Sequence, residues 1–374
     1  MEKPAQRPDI GDYLKLVSCC AVMLQTILAF ALTEHPSETH QFDIGIIYNL
    51  IKFTAPAFIF AILFTTSRLT MTPKITYGAY LKQQWHATFA PTILWTGVYL
   101  IVTPELQQVR HFHDLRTFLW QFINGNAAPH LWYNSMMMQF VILMPAFWFL
   151  AHWIHHRRGR ARMVIGVTTV IYLGWLVFYD QQVFHGPHMH NWYLLDRVFI
   201  SFLIYGVLGM LAWEFRLSAN RIFRVWWPMI CLLFLGSFYW TNQALFNFGY
   251  PVRLINAPYY KPSMMIYDLT VITLIAAFGI FQIDNQPKIA KVVHNLANYA
   301  YKAFLGNAFW IYLLWMGPGR SLTTRHLWIG IGLIYIGTWL LSFGSAFGLH
   351  VIWQQIRHLT KEAAASPTHL HGIH

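Results

Sequence analysis

The chain has 374 residues, of which 56% are hydrophobic, 17% aromatic and only 11% charged. Ordinary soluble domains carry about 25% charged residues, so this composition excludes that class and indicates that lipid surrounds most of the protein. The net charge of +12 would suit either nucleic acid or loops that face anionic lipid. Because the basic residues fall mainly in loops between apolar stretches, no nucleic-acid partner is expected.

Ten apolar stretches follow one another along the sequence. Stretches of about 17 to 25 apolar residues can cross the hydrocarbon core as helices. The pattern therefore predicts an all-α, polytopic membrane protein that forms a single domain over residues 1–374, with a polar tail from about 358. The seventh stretch is short, and Lys302 and Asn307 interrupt the ninth. The predicted spans are 14–32, 44–66, 86–102, 131–152, 163–179, 198–213, 226–240, 264–281, 296–316 and 327–352.

The loops between these spans alternate between rich and poor in Lys and Arg. Sixteen basic residues lie in the loops on the side of the N-terminus and six in the loops on the other side. Positive residues concentrate on the cytoplasmic side of membrane proteins. Both termini are therefore predicted to be cytoplasmic, in agreement with an even number of spans.

Charged residues inside predicted spans are candidates for function, because burying them in lipid is costly. Lys52 lies about eight residues into the second span. A structural role, as part of an ion pair or as an amine that reaches the interface, explains its presence there as well as a functional role does. Asp196 and Arg197 open the sixth span, and an ion pair is favoured there. His185, His188 and His190 share an external loop without a carboxylate cluster, so a solvated loop is favoured over a metal site.

Several short motifs occur in an order that resembles the membrane acyltransferase-3 family, which is also built of ten spans. Each motif alone is loose, and their order and spacing carry the resemblance over nearly the whole chain. The motifs are Asp12-Tyr-Leu-Lys15, Thr54-Ala-Pro56-Ala-Phe58, Phe89-Ala-Pro91, His130-Leu-Trp132-Tyr133, and Arg197 followed by Phe202, Tyr205-Gly206 and Gly209.

The resemblance implies a bacterial plasma-membrane enzyme that transfers an acetyl or succinyl group. The donor would be cytoplasmic acyl-CoA, and the acceptor a surface polysaccharide or lipid-linked glycan, with no bound cofactor or metal. One branch of the family is linked to biofilm poly-N-acetylglucosamine, both as its exporter and as its O-succinyltransferase. The compact length without an attached extracellular domain resembles that branch. The alternative is a non-catalytic member that acts in polysaccharide export or assembly.

The first span departs from the family pattern, in which an Arg is followed eleven residues later by a His thought to be the catalytic base. Lys15 stands at the Arg position, and Gln25 and Thr26 follow at ten and eleven residues. At about 100° per residue, Thr26 rather than Gln25 shares the face of Lys15. A general base must titrate near the working pH, and a glutamine amide can only form hydrogen bonds.

Other family residues are replaced as well. The Arg-x-x-Arg of the third span is reduced to Lys82, Gln83 and Gln84, with His86 as the titratable replacement, and Asn307 stands where the late motif normally has a His. The enzyme hypothesis places Gln25 and His86 in catalysis and assigns substrate binding to Lys15, Lys52, Lys82, His130, Trp132 and Arg197. Lys15 and Lys82 would meet the acyl-CoA phosphates, and His130 and Trp132 the glycan. In the export hypothesis, the row from Lys52 through Gln25 to His130 lines a path for sugar.

Overall fold

A computed structural model describes residues 7–71, 75–109, 111–189 and 191–365, and every regular element in these ranges is helical. Short 3₁₀ and π-helical turns connect several of the helices. The last residues of the predicted polar tail, 366–374, and His190 lie outside the described residues. The α-helices are α1 Ile10–Thr33, α2 Glu38–Leu50, α3 Thr54–Met71, α4 Tyr77–Gln84, α5 Ala90–Val102, α6 Leu115–Asn124, α7 Trp132–Ile142, α8 Met144–Ile154, α9 Arg158–Tyr179, α10 Leu203–Glu214, α11 Arg216–Phe246, α12 Pro262–Asn285, α13 Pro287–Leu314, α14 Arg320–Arg325 and α15 Leu327–Ala365.

Helix α1 is the central element of the bundle. It begins with a capping box, in which Asp9 accepts a hydrogen bond from the Asp12 amide at 3.2 Å and Asp12 accepts one from the Asp9 amide at 3.1 Å. These bonds satisfy amide donors that the first turn of a helix leaves free. The remaining residues are mostly apolar, and the helix packs against α3, α12, α13 and α15. Residues of α1 are therefore close to most of the other long helices.

Helices α3 and α10 pack with their backbones in unusually close contact. A Cβ atom at Gly209 would lie 2.3 Å from the carbonyl oxygen of Phe60, so only glycine fits there. Small residues permit this kind of approach between membrane helices. The contact fixes α10 against α3 beside the central helix.

Within the described ranges, six helical stretches are long and apolar enough to cross a membrane, one of which takes α2 and α3 together: Ile10–Thr33, Glu38–Leu69, Arg158–Phe184, Arg216–Phe246, Pro262–Asn285 and Leu327–Ile352. Helices α7 and α8 add a seventh if they are counted as one span bent by 52°. The apolar helix Phe199–Glu214 is shorter. These findings establish a helical membrane protein, whereas the count of ten spans and the cytoplasmic position of both termini stay predictions.

Several predicted spans differ from the helices that contain them. The seventh, 226–240, is the middle of the 31-residue helix α11, because its basic first turns continue the helix beyond the apolar part. The fourth, 131–152, is divided at Leu143, where Pro145 at the start of α8 cannot donate a backbone hydrogen bond. The ninth, 296–316, lies in α13 up to Leu314 despite Lys302 and Asn307, and its last two residues belong to the π-helical turn Trp315–Gly319.

Candidate functional site

The second predicted span is not one regular helix, because its backbone is broken between α2 and α3. Pro56 lacks an N–H group, so the ladder of helical hydrogen bonds cannot continue through this turn. Two side chains from other helices bind the exposed carbonyl groups: Gln25 donates to Ile51, and Tyr267 donates to Leu50 at 2.6 Å. Backbone carbonyls at membrane depth need such partners. Gln25 therefore stabilises the break.

Lys52 lies within this break and is only 8% exposed. Its ammonium group donates to the Tyr48 hydroxyl at 2.9 Å and lies 4.7 Å and 4.4 Å from the ring centroids of Tyr48 and Tyr259. Aromatic faces attract cations at this range. None of the ion pairs found among the described residues includes Lys52. The direct contacts of its ammonium group are thus with one hydroxyl group and two aromatic rings.

A cavity of about 320 Å³ lies beside the break. It brings together four of the residues predicted as site residues, namely Gln25, Lys52, His130 and Trp132. The cavity also reaches Thr33, the last residue of α1, at the end of that helix opposite Lys15. The other lining residues are mostly aromatic or hydroxyl-bearing and include Thr26, Phe30, Tyr48, Thr54, Phe58, Gln108, Pro129, Tyr133, Tyr259 and Phe304.

His130 is the only histidine among the described residues that line this cavity, and it is 4% exposed. Its Nε2 lies 3.3 Å from the carbonyl oxygen of Leu305, whereas its Nδ1 has no hydrogen-bond partner within the described part of the chain. A carbonyl can only accept, so Nε2 carries the proton and Nδ1 the lone pair. Burial lowers the pKa of His130, which precedes α7, to about 4, against the opposing effect of the Leu305 carbonyl. The imidazole is therefore neutral at neutral pH.

Lys15 lies near the other end of α1. A rise of 1.5 Å per residue places it about 15 Å from Gln25 along the helix axis. Its ammonium group donates to the Thr65 hydroxyl at 3.0 Å. Two further polar contacts lie at the same end of the helix, an ion pair of Arg68 with Asp9 at 2.6 Å and a hydrogen bond between His294 Nδ1 and Asp12 at 2.7 Å. Lys15 therefore belongs to a separate polar cluster and does not line the cavity.

Lys82 and His86 are exposed on α4 and on the π-helical turn Trp85–Phe89. Neither residue lines the cavity that contains Gln25. The convergence of Gln25 with Lys15 and His86, which the enzyme hypothesis would use, is thus absent from this cavity.

Arg197 is buried outside the cavity, between loop segments. It forms the predicted ion pair with Asp196 at 3.1 Å, and it also donates to the side chain of Asn126 at 2.7 Å and to the backbone carbonyl of Asn124. Burial raises the pKa of the Asp196 carboxyl to about 6, and the Arg197 charge opposes that rise. These bonds connect the segment before α7 with the segment before α10. The contacts of Arg197 are thus those of a residue that holds two loops together.

Asp268 is a candidate that the sequence interpretation missed. It is fully buried on α12, where its Oδ2 accepts a hydrogen bond from Tyr205 at 3.2 Å and its Oδ1 has no partner among the residues described. Asp268 and Lys52 are close enough to influence each other electrostatically. The signal was available, because Asp268 is the only charged residue of the predicted span 264–281.

One of three comparisons with known proteins places the chain in a family. A model of acyltransferase family 3, described as an acyltransferase domain, matches residues 11–352. Comparison with curated proteins and comparison with solved structures each found no match. The family match covers nearly the whole chain and confirms the resemblance carried by the motifs. The chain belongs to acyltransferase family 3.

Proposed function

We propose that this protein is a bacterial plasma-membrane acyltransferase that carries an acetyl or succinyl group from cytoplasmic acyl-CoA to a surface polysaccharide or lipid-linked glycan. Poly-N-acetylglucosamine is the acceptor that the resemblance favours. The observation that carries the proposal is the cavity, in which a neutral imidazole with a free Nδ1 lies among aromatic side chains in a chain of this family. The protein needs no bound cofactor for this reaction.

The two ends of α1 suit the two substrates. In the predicted orientation, Lys15 and the exposed Lys82 are on the cytoplasmic side, where an anionic donor arrives. The cavity lies toward the opposite end of α1, and Trp132 and Tyr259 contribute flat aromatic surface to it, with ring centroids 5.8 Å apart. Aromatic rings combine apolar area with a polar edge, which suits a sugar.

His130 is the residue best placed to act as the base. Its Nδ1 would take the proton of an acceptor hydroxyl while the hydroxyl oxygen attacks the thioester carbonyl. The new C–O ester bond forms, the C–S bond breaks, and the departing CoA thiolate takes up the proton. Hydrogen bonding of Nε2 to Leu305 holds the tautomer that this step needs. Gln25, which bonds to Ile51 and Thr54, would position the site rather than titrate.

An acyl-transfer assay tests the proposal. Purified protein is incubated with radiolabelled acetyl-CoA or succinyl-CoA and poly-N-acetylglucosamine, and label in the polymer is measured. General bases contribute about 10²- to 10⁴-fold, so His130→Ala should lose activity by that order. His86→Ala tests the base predicted from the sequence, and His326→Ala changes an exposed histidine outside the cavity. Full activity in His130→Ala would refute the role of His130, and absence of transfer by the wild type would refute the enzyme assignment.

Export is the second candidate function, because the polar row proposed to line a sugar path is present. Lys52, Gln25 and His130 all line one cavity. If the protein exports or assembles polymer without catalysis, its deletion should leave polymer trapped inside the cell with unchanged acyl content. A deletion strain that secretes normal amounts of polymer with reduced acyl content would exclude export and support transfer.

A further inference from the structure

The Lys52 ammonium is a buried charge whose hydrogen bonds and ion pairing are incomplete. It has three donor hydrogens, and the structure gives it one hydrogen bond, to Tyr48. No carboxylate in the described ranges lies within the 4.0 Å of an ion pair with it. Charges at membrane depth are costly and usually pair with one another or with a ligand. The cation therefore requires a counter-ion that the neighbouring helices do not supply by contact.

The surroundings of Lys52 indicate where that counter-ion comes from. The side chain lines the cavity of about 320 Å³, at the lower end of the range for small-molecule sites. Two other buried polar groups that line the cavity also lack partners within the part of the chain described, namely Nδ1 of His130 and the hydroxyl of Tyr133. Each of these residues is 4% exposed. Three polar groups with unused hydrogen-bonding capacity thus share one cavity, and only Lys52 is a fixed charge.

We propose that Lys52 binds the carboxylate of an acidic ligand that occupies this cavity. The carboxylate belongs either to the free end of a dicarboxylic acyl group or to an acidic sugar. Tyr48 and Tyr259 hold the ammonium group in place, and the remaining N–H donors of Lys52 are available to the carboxylate oxygens. The inference deepens the proposed function by naming a charge on its substrate, but binding itself requires no turnover.

Asp268 does not supply this counter-ion by contact. Its Oδ2 accepts a hydrogen bond from Tyr205 at 3.2 Å, and it forms no direct ion pair with Lys52.

Equilibrium binding to the purified full chain in detergent, measured by calorimetry, tests the proposal. The charged probes are succinate and glucuronate, and the neutral probes of matched shape are succinamide and glucose. The wild type should bind at least one charged probe ten or more times tighter than its neutral counterpart. Tighter succinate identifies the acyl group as the source of the carboxylate, and tighter glucuronate identifies the sugar. Equal binding of charged and neutral probes, or no binding of any probe, would overturn the proposal.

Variants assign the preference to Lys52. Lys52→Met should abolish the charge preference, and Lys52→Arg should retain part of it. Lys302→Met removes a lysine outside the cavity and should change nothing. If Lys52→Met fails to fold, Lys52→Gln takes its place, because it removes the charge but keeps a polar side chain, and an unchanged charge preference in that variant would contradict the proposal. Carboxylate binding without acyl transfer would refute the proposed function alone, whereas transfer without charge preference would refute this inference alone.

Discussion

At the scale of single residues, the structure changes the meaning of Gln25. In the sequence its amide stands one residue before the position of the family's histidine, which Thr26 occupies, and a glutamine amide cannot act as a base. Its partners were not predictable, because the Ile51 carbonyl becomes available only where another helix breaks. Lys52 was singled out as a charge within a predicted span, whereas His130 was singled out from a motif of the family resemblance, and Asp268 could have been singled out by the rule applied to Lys52. The sequence did not indicate which side chains of one helix form hydrogen bonds with another helix.

Gln25→Leu should destabilise the protein by about 1–3 kcal/mol. The leucine keeps most of the volume but leaves the Ile51 carbonyl without its side-chain donor, and an unsatisfied buried polar group costs about that much. Unfolding in detergent, followed by circular dichroism, measures the change. Gln83→Leu alters an exposed glutamine on α4 and should have little effect. Equal stability of the two variants would show that the hydrogen bond contributes nothing.

The pH dependence of acyl transfer should report the burial of His130. Because the pKa of this imidazole is lowered to about 4, the neutral base is fully present from pH 5.5 to 8, and its contribution is lost only as the pH falls toward 4. The measurement is kcat/KM for acyl transfer across that range. Loss of activity in His86→Ala together with full activity in His130→Ala would favour His86 as the base.

At the scale of elements, the break between α2 and α3 has the largest consequence for the site. Apolar length predicted a span over 44–66, and Lys52 within it was recognised as costly. The sequence did not reveal the break, because proline near the start of a helix is common and the stabilising donors Gln25 and Tyr267 come from α1 and α12. The break directs Lys52 into the cavity. Discontinuous helices at membrane depth commonly form ligand sites in this way.

Pro56→Ala should weaken the site without destabilising the protein. The alanine restores a backbone N–H group and favours a continuous helix, which would move Lys52 away from the cavity. We expect at least a tenfold loss of carboxylate binding, with a melting temperature equal to or above that of the wild type. Pro228→Ala changes a proline inside α11 on an exposed face, and should leave binding unchanged. Unaltered binding in Pro56→Ala would show that the proline does not maintain the break.

At the scale of the whole molecule, composition and loop charge were enough to predict a helical membrane protein, and motif order was enough for the family. The number of spans was harder to predict, because hydropathy does not register bends and short helices. Helices α7 and α8 form one apolar stretch in the sequence but differ in direction by 52°. Helix α13 is 28 residues long, yet it is not among the described helices that are apolar enough to span a membrane.

The orientation is the remaining whole-molecule prediction, and the site proposal depends on it. Loop charge places 282–295 inside and 317–326 outside, so a cysteine at Ser321 should react with a membrane-impermeant thiol reagent in intact cells. A cysteine at Asn285 should react only after permeabilisation. Both positions are exposed, and the native Cys19, Cys20 and Cys231 are first replaced by alanine. The reverse labelling pattern would place Lys15 outside, away from cytoplasmic acyl-CoA, and would turn the cavity toward the cytoplasm. In that case the assignment of donor and acceptor sides would be wrong, whereas carboxylate binding at Lys52 would be unaffected.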